Sequence, residues 1–176
     1  GYPPKDLLER EWFIQRVLRA LDELRQVSRR YPETGILLGA PLPADTPNGK
    51  GLRNSAVLLA GSEIVATRYK SLLPTYDVFD EARYFNPASE VQVVPFKGEK
   101  LGIHICEDAW ADSQLWPRRS LYPCDPVAML AAQGATLFIN LSASPFSVGK
   151  ESIRYQLVRR HVVRHRAPFI YVNQIG

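Results

Sequence analysis

The sequence predicts an α/β sandwich whose sheets mix antiparallel and parallel strands. Two paired runs of strand type, Asn54–Leu59 with Ile64–Tyr69 and Val91–Phe96 with Leu101–Ile105, flank the polar turns Ala60-Gly61-Ser62-Glu63 and Lys97-Gly98-Glu99-Lys100, as hairpins do. The last third alternates helix and strand instead, as Pro126–Gln133, Thr136–Leu141, Glu151–Arg166 and Phe169–Val172. Hairpins beside strand–helix–strand units exclude a purely parallel sheet. The length of 176 residues, with 45% hydrophobic and 23% charged residues, suits one soluble domain, 1–176, with a real core.

Taken in order, Gly1-Tyr2-Pro3-Pro4 is a turn, and Asp6 to Tyr31 reads as one amphipathic helix capped by Asp6. Phe13, Val17, Leu21 and Leu24 recur at helical spacing, with Arg16, Arg19, Glu23 and Arg25 off the stripe. Gly35–Ala40 is a short buried strand, and Pro41–Arg53 a loop rich in Pro, Gly and Asn. Lys70 closes the second strand of the first hairpin. Ser71–Ser89 is a long irregular segment, which inside a compact domain is usually functional. The helix from Pro126 stops at Gly134, and Ser142–Gly149 is a loop before the last helix, whose buried side is expected at Ile153, Leu157 and Val158. The last residues, Val172 to Gly176, run on from a strand, and both ends read as internal to a longer chain.

Composition narrows the function classes. A net charge of +4 without a basic motif does not suggest a nucleic-acid partner. The two cysteines, Cys106 and Cys124, form no disulfide framework and no CxxC zinc pair. No apolar run is long enough for a membrane span and no leader pattern is present, so a cytoplasmic protein with free thiols is expected.

The chain is organised around Leu101-Gly102-Ile103-His104-Ile105-Cys106-Glu107-Asp108-Ala109-Trp110. An apolar strand ending in a thiol and two carboxylates puts the thiol at the rim of a sheet, where ligands of α/β proteins bind. Held on a sharp turn there, Cys106 could serve as a nucleophile or could be a small core residue. Glu107 and Asp108 alone disfavour a thiolate, so a nucleophile needs a cation nearby. Lys70, also at a strand end, supplies that charge in one reading and is a solvated strand end in the other. His104 reads as a structural histidine and Cys124 as inert. The arginines of the last helix, from Arg154 to Arg166, read as a solvated or interdomain face.

Four segments resemble glutamine-dependent NAD synthetases in order and spacing: Gly1 to Leu8, Tyr69 to Phe85, Gly102 to Trp110, and Asn140-Leu141-Ser142-Ala143-Ser144-Pro145-Phe146. The resemblance is to the amino-terminal nitrilase-type glutaminase domain of that family. It implies a nitrilase-like (carbon-nitrogen hydrolase) αββα sandwich, here incomplete, and a Glu-Lys-Cys triad. Cys106 would attack the side-chain amide of glutamine, Lys70 would hold the oxyanion, and a glutamate would act as general base. In the family that glutamate lies in a Pro-Glu-Leu segment before the Gly-Tyr-Pro-Pro turn, so no residue of 1–176 is named as the base, and the chain alone is expected to be inactive. By its position after the lysine, Glu81 fits the supporting glutamate that nitrilase-like enzymes carry near the thiol as well as it fits a surface carboxylate capping a turn. Tyr76, Glu107, Ser144 and Lys150 match the positions that hold the glutamine α-ammonium and α-carboxylate.

The resemblance also implies a homo-oligomer and a synthetase domain of the same polypeptide. ATP, magnesium and deamido-NAD would bind there, with no cofactor or metal in 1–176, which has no glycine-rich phosphate loop. A stand-alone nitrilase-type amidase acting on another small amide, and a non-catalytic assembly module of the same fold, are the rival readings.

Overall fold

A computed structural model describes residues 2–44, 49–111 and 122–175. Gly1, Gly176 and positions 45–48 of the expected Pro41–Arg53 loop lie outside the described residues. The chain divides into two compact units, Gly1–Ala88 and Ser89–Gly176.

The first unit is a helix on a three-stranded antiparallel sheet. The strands are β1 (Ile36–Pro43), β2 (Leu52–Ala60) and β3 (Glu63–Tyr69), in the order β1-β2-β3. The β2–β3 turn is Gly61-Ser62, with φ of 56° and 69°. Both residues are left-handed, as the tight hairpin turn matching strand twist requires. Strand β1 runs three residues past the expected Ala40, through Pro41 and Pro43, so most of the expected loop's start is strand. An edge strand tolerates proline because one side of its backbone has no ladder partner.

The expected single helix from Asp6 to Tyr31 is two pieces: a 3-10 turn, Lys5–Glu9, and α1, Glu11–Ser28. Arg10 between them is extended, at φ −98° and ψ 114°, which breaks the ladder. Asp6 caps nothing; its carboxylate accepts from Tyr84 Oη at 2.7 Å. The inward stripe of α1 is Ile14, Leu21 and Ser28, while Leu24 is exposed. Leu21 packs with Val57, Leu59, Ile36, Leu38 and Leu42. Arg25, expected to face away, donates to Ser62 O at 2.7 Å, and Ser28 Oγ accepts from Ser62 N at 2.9 Å, so the end of α1 is bonded to the hairpin turn.

The long segment after β3 closes on itself, since Ala88 N donates to Lys70 O at 2.8 Å. Within it lies one helical turn, α2 (Glu81–Tyr84). Leu72, Phe79, Glu81 and Phe85 are buried along it.

The second unit is a mixed sheet in the order β4-β5-β6-β7: Val94–Phe96, Glu99–Ile105, Leu137–Ser142 and Phe169–Asn173. β4 and β5 form an antiparallel hairpin, shorter at its start than the expected Val91, and β5, β6 and β7 are parallel. Helices α3 (Pro126–Ala132) and α4 (Lys150–His165) make the two crossovers. Asp125 caps α3 by accepting from Ala128 N at 3.0 Å. Val127, Leu130, Phe138 and Ala167 form the core of this unit. Gly102 lets β5 approach that core closely. A Cβ there would stand 2.7 Å from Phe138 Cδ1 and 3.2 Å from Ala135 Cβ. Phe138 is fully buried, so it would have to shift within the core. Gly102→Ala should therefore cost roughly 1–3 kcal/mol by overpacking, read as a lowered denaturation midpoint at unchanged m-value.

The inward side of α4 differs from the expectation. Leu157 and His161 are buried, but Ile153 is 55% exposed. No helix among the described residues is long and apolar enough to cross a membrane.

Candidate active site

Lys70 is not a solvated strand end. It lies one residue past β3, 1% exposed, with Nζ 2.5 Å from Glu81 Oε1. Glu81 is 3% exposed and its Oε2 accepts from Asn54 Nδ2 at 3.3 Å. Glu81 is therefore not a surface carboxylate. The backbone of Asn54 also accepts from Lys70 N at 2.9 Å, so β2 fixes the lysine directly and the glutamate through its amide. Tyr76 is in the same unit, 53% exposed, edge-on to Phe79 at 6.1 Å.

In the second unit, Cys106 is the first residue after β5 and opens the 3-10 turn Cys106–Trp110. Its φ is +46°. A non-glycine residue held left-handed at a strand-to-helix junction is strained by about 1–3 kcal/mol, a feature that clusters at functional sites. The turn is held from several sides. Asp108 Oδ2 accepts from Ile105 N at 3.0 Å. Asn140 Nδ2 donates to Cys106 O at 3.4 Å, and His161 Nε2 donates to Ala109 O at 2.8 Å. Asp108 is thus a cap of the turn. Glu107 is buried, and its Oε1 accepts from the Tyr122 hydroxyl.

Ser144 is buried at the carboxyl end of β6, beyond Ser142. Lys150 is the first residue of α4. The structure thus brings Lys70 and Glu81 together within one unit, with Tyr76 in the same segment, and places Cys106, Glu107, Ser144 and Lys150 in the other. No sequence signal marks Asn54, and Arg154 lies on the helix expected to present a solvated or interdomain face. Arg154 Nη2 donates to Ser144 and Pro145. Its i+4 spacing from Lys150 on α4 was the available signal.

His104 is a core residue. Its Nδ1 lies 3.0 Å from Gly102 O and its ring is edge-on to Phe169 at 5.2 Å. Burial pushes its pKa down to about 4, with His161 adding in the same direction against the Gly102 hydrogen bond. Unfolding releases the imidazole to its ordinary value of 6.5. Between those values the unfolded chain binds the extra proton, so stability is full above pH 6.5 and falls as pH drops toward 4. The loss should reach about 3 kcal/mol, and His104→Gln should flatten that slope in denaturant titrations at pH 7.5 and 4.5. Among the described residues, no group of three or more His, Cys, Asp or Glu is placed to hold a metal ion.

No protein-family model matches the chain. A glutamine-dependent NAD(+) synthetase from Synechocystis is 42% identical over 179 residues, covering 100% of this chain and 32% of that protein. The solved glutamine-dependent NAD+ synthetase of Acinetobacter baumannii superposes with a TM-score of 0.79 at 27% identity, over 100% of this chain and 30% of that one. An amidase of the nitrilase superfamily from Nesterenkonia superposes with a TM-score of 0.75 at 21% identity, over 100% and 60%. The fold is nitrilase-like. The resemblance to glutamine-dependent NAD synthetases extends over the whole chain, which spans about a third of the length of the curated relatives it matches. Within this nitrilase-like fold, the left-handed Cys106 directly follows the last residue of β5.

Proposed function

We propose that this chain is the glutamine-hydrolysing part of a glutamine-dependent NAD synthetase. The observation that carries the reading is the buried Lys70–Glu81 pair. Buried ion pairs are seldom more stabilising than apolar residues of the same size, so packing gives little reason to keep a lysine 1% exposed at a strand end. A desolvated ammonium held by one carboxylate is suited to receive an oxyanion.

In the proposed chemistry, the Cys106 thiolate attacks the side-chain amide carbon of glutamine. The carbonyl oxygen becomes an oxyanion that Lys70 stabilises, while Glu81 orients Lys70. Collapse of the tetrahedral adduct expels ammonia, protonated by a glutamate from the Pro-Glu-Leu segment upstream of the Gly-Tyr-Pro-Pro turn, which took that proton as general base from the Cys106 thiol at attack. Water, deprotonated by the same base, then cleaves the thioester and frees glutamate. Tyr76, Glu107, Ser144 and Lys150 would recognise the α-ammonium and α-carboxylate. The ammonia would pass to a synthetase domain of the same polypeptide, where ATP and magnesium serve amidation of deamido-NAD, in a homo-oligomeric cytoplasmic enzyme.

The likeness to nitrilase-superfamily amidases favours a second reading, hydrolysis of a simpler amide. One experiment separates the two. Iodoacetamide labelling of Cys106 should be blocked by excess L-glutamine and not by propionamide. Protection by both amides would favour the simple amidase, and protection by neither would overturn both readings.

A further inference from the structure

The imidazole of His161 is a buried titratable group that the proposed chemistry leaves unused. It lies on α4, 1% exposed, one turn beyond Leu157 on the inward side of the helix. An apolar residue would satisfy the packing there, and a buried polar side chain requires a partner. The partner is Ala109 O, 2.8 Å from His161 Nε2. A carbonyl only accepts, so Nε2 carries the hydrogen. The ring is also held by its faces. It stacks on Phe169 of β7, with centroids 5.5 Å apart at 15°, and on His165, 5.9 Å apart at 16°.

Ala109 belongs to the turn that Cys106 opens, Cys106–Trp110. The last carbonyls of a short helical turn have no partner inside it, and Ala109 is fully buried. The other two bonds described at this turn act differently. Asp108 Oδ2 accepts from Ile105 N, three residues back, and fixes the local shape of the turn. Asn140 Nδ2 donates to Cys106 O at 3.4 Å, which is long for such a bond. Of the two bonds that come from other elements, that of His161 is the shorter, and it grips the end of the turn away from β5. A left-handed residue such as Cys106 persists only where its surroundings over-determine it. With the far end released, the turn can pivot about the end of β5 and Cys106 can relax.

We infer that His161 is a positioning residue for Cys106: its Nε2–H, bonded to the Ala109 carbonyl, holds the Cys106–Trp110 turn against α4 and keeps Cys106 in its left-handed conformation. The inference rests on the proposal above that Cys106 is the nucleophile. Lys150, proposed to meet glutamine, is the first residue of the same helix. One helix then places both a substrate contact and the turn that carries the thiol.

The test separates the ring from the donor. His161→Phe keeps an aromatic ring against Phe169 and His165 and loses the N–H. His161→Gln loses the ring and keeps an N–H donor the same number of bonds from Cα. Timed iodoacetamide labelling of residues 1–176, read by peptide mapping, follows Cys106 against Cys124, and thermal unfolding follows stability. His161→Phe should slow Cys106 on the order of tenfold and change Cys124 less than about twofold. His161→Gln should label Cys106 within about threefold of the unaltered rate, even where the lost ring lowers its melting temperature. If His161→Phe fails to fold, His161→Met, which also lacks the donor and adapts its shape, takes its place with the same expected slowing. Labelling rates that follow the melting temperature across the variants would mean a structural role only, and Cys106 labelling unchanged or faster without the donor would mean no role; each overturns the inference. Cys106 labelling no faster than Cys124 in the unaltered protein would instead overturn the reading of Cys106 as a nucleophile.

Discussion

Glu81→Ala should cost about 3–5 kcal/mol of stability, because it leaves the Lys70 ammonium buried without its counter-ion. For a chain of 176 residues that is a fall in melting temperature of roughly 10 °C. The loss comes from the geometry: Nζ and Oε1 are 2.5 Å apart and both side chains are at most 2% exposed. Replacing the pair together, as Lys70→Met with Glu81→Leu, should restore most of the stability, since apolar residues of similar size avoid the desolvation of two charges. Thermal unfolding of the single and double variants checks this. A double variant no more stable than Glu81→Ala would mean that the pair's surroundings, and not the unpaired charge, set the cost.

If Lys70 is the cation that serves Cys106, as proposed, the same double variant should slow alkylation of Cys106 by at least about tenfold while leaving Cys124 unchanged. Cys124 is a useful internal standard. Burial first, and then Asp108 and Asp125, push its thiol above the ordinary range, so it should react slowly in every folded variant. Peptide mapping after timed labelling at pH 7.5 gives both rates in one sample. Unfolding would speed Cys124, which separates a damaged fold from a changed site. Equal reactivity of the two cysteines in the unaltered protein would remove the case for Cys106 as a nucleophile.

Parts of this architecture were written locally, and those were legible. Gly61-Ser62 and Lys97-Gly98 take the left-handed turn conformations that tight hairpins need, and the sequence marks both turns. The crossover helices and the thiol at the end of β5 follow from period and chain order. What escaped depended on neighbours distant in sequence. Pro41 and Pro43 look like loop residues until β2 lies on one side of them only. The extended Arg10 interrupts what periodicity alone joins into one helix.

The candidate site divides in the same way. Cys106 and Lys70 announce themselves as polar residues closing apolar strands. Glu81 could not be told from a surface carboxylate, because its burial depends on a segment that returns to Lys70 only at Ala88. Arg154 reads as part of a solvated or interdomain face because hydropathy scores its charge and not its bonds; Ile153, beside it, is expected inward and is instead exposed.

The measurement that bears most directly on the central claim is glutamate release from glutamine. It would compare residues 1–176 alone with the same chain extended before the Gly-Tyr-Pro-Pro turn by the Pro-Glu-Leu segment that the resemblance implies. If Cys106 and Lys70 share the chemistry with a base supplied from that segment, the extended protein should turn over on the order of 10²–10⁴-fold faster, and Cys106→Ala should abolish the gain. Comparable turnover by the two would contradict the account and place the base within 1–176, with Glu81 the first suspect and Glu107 the second.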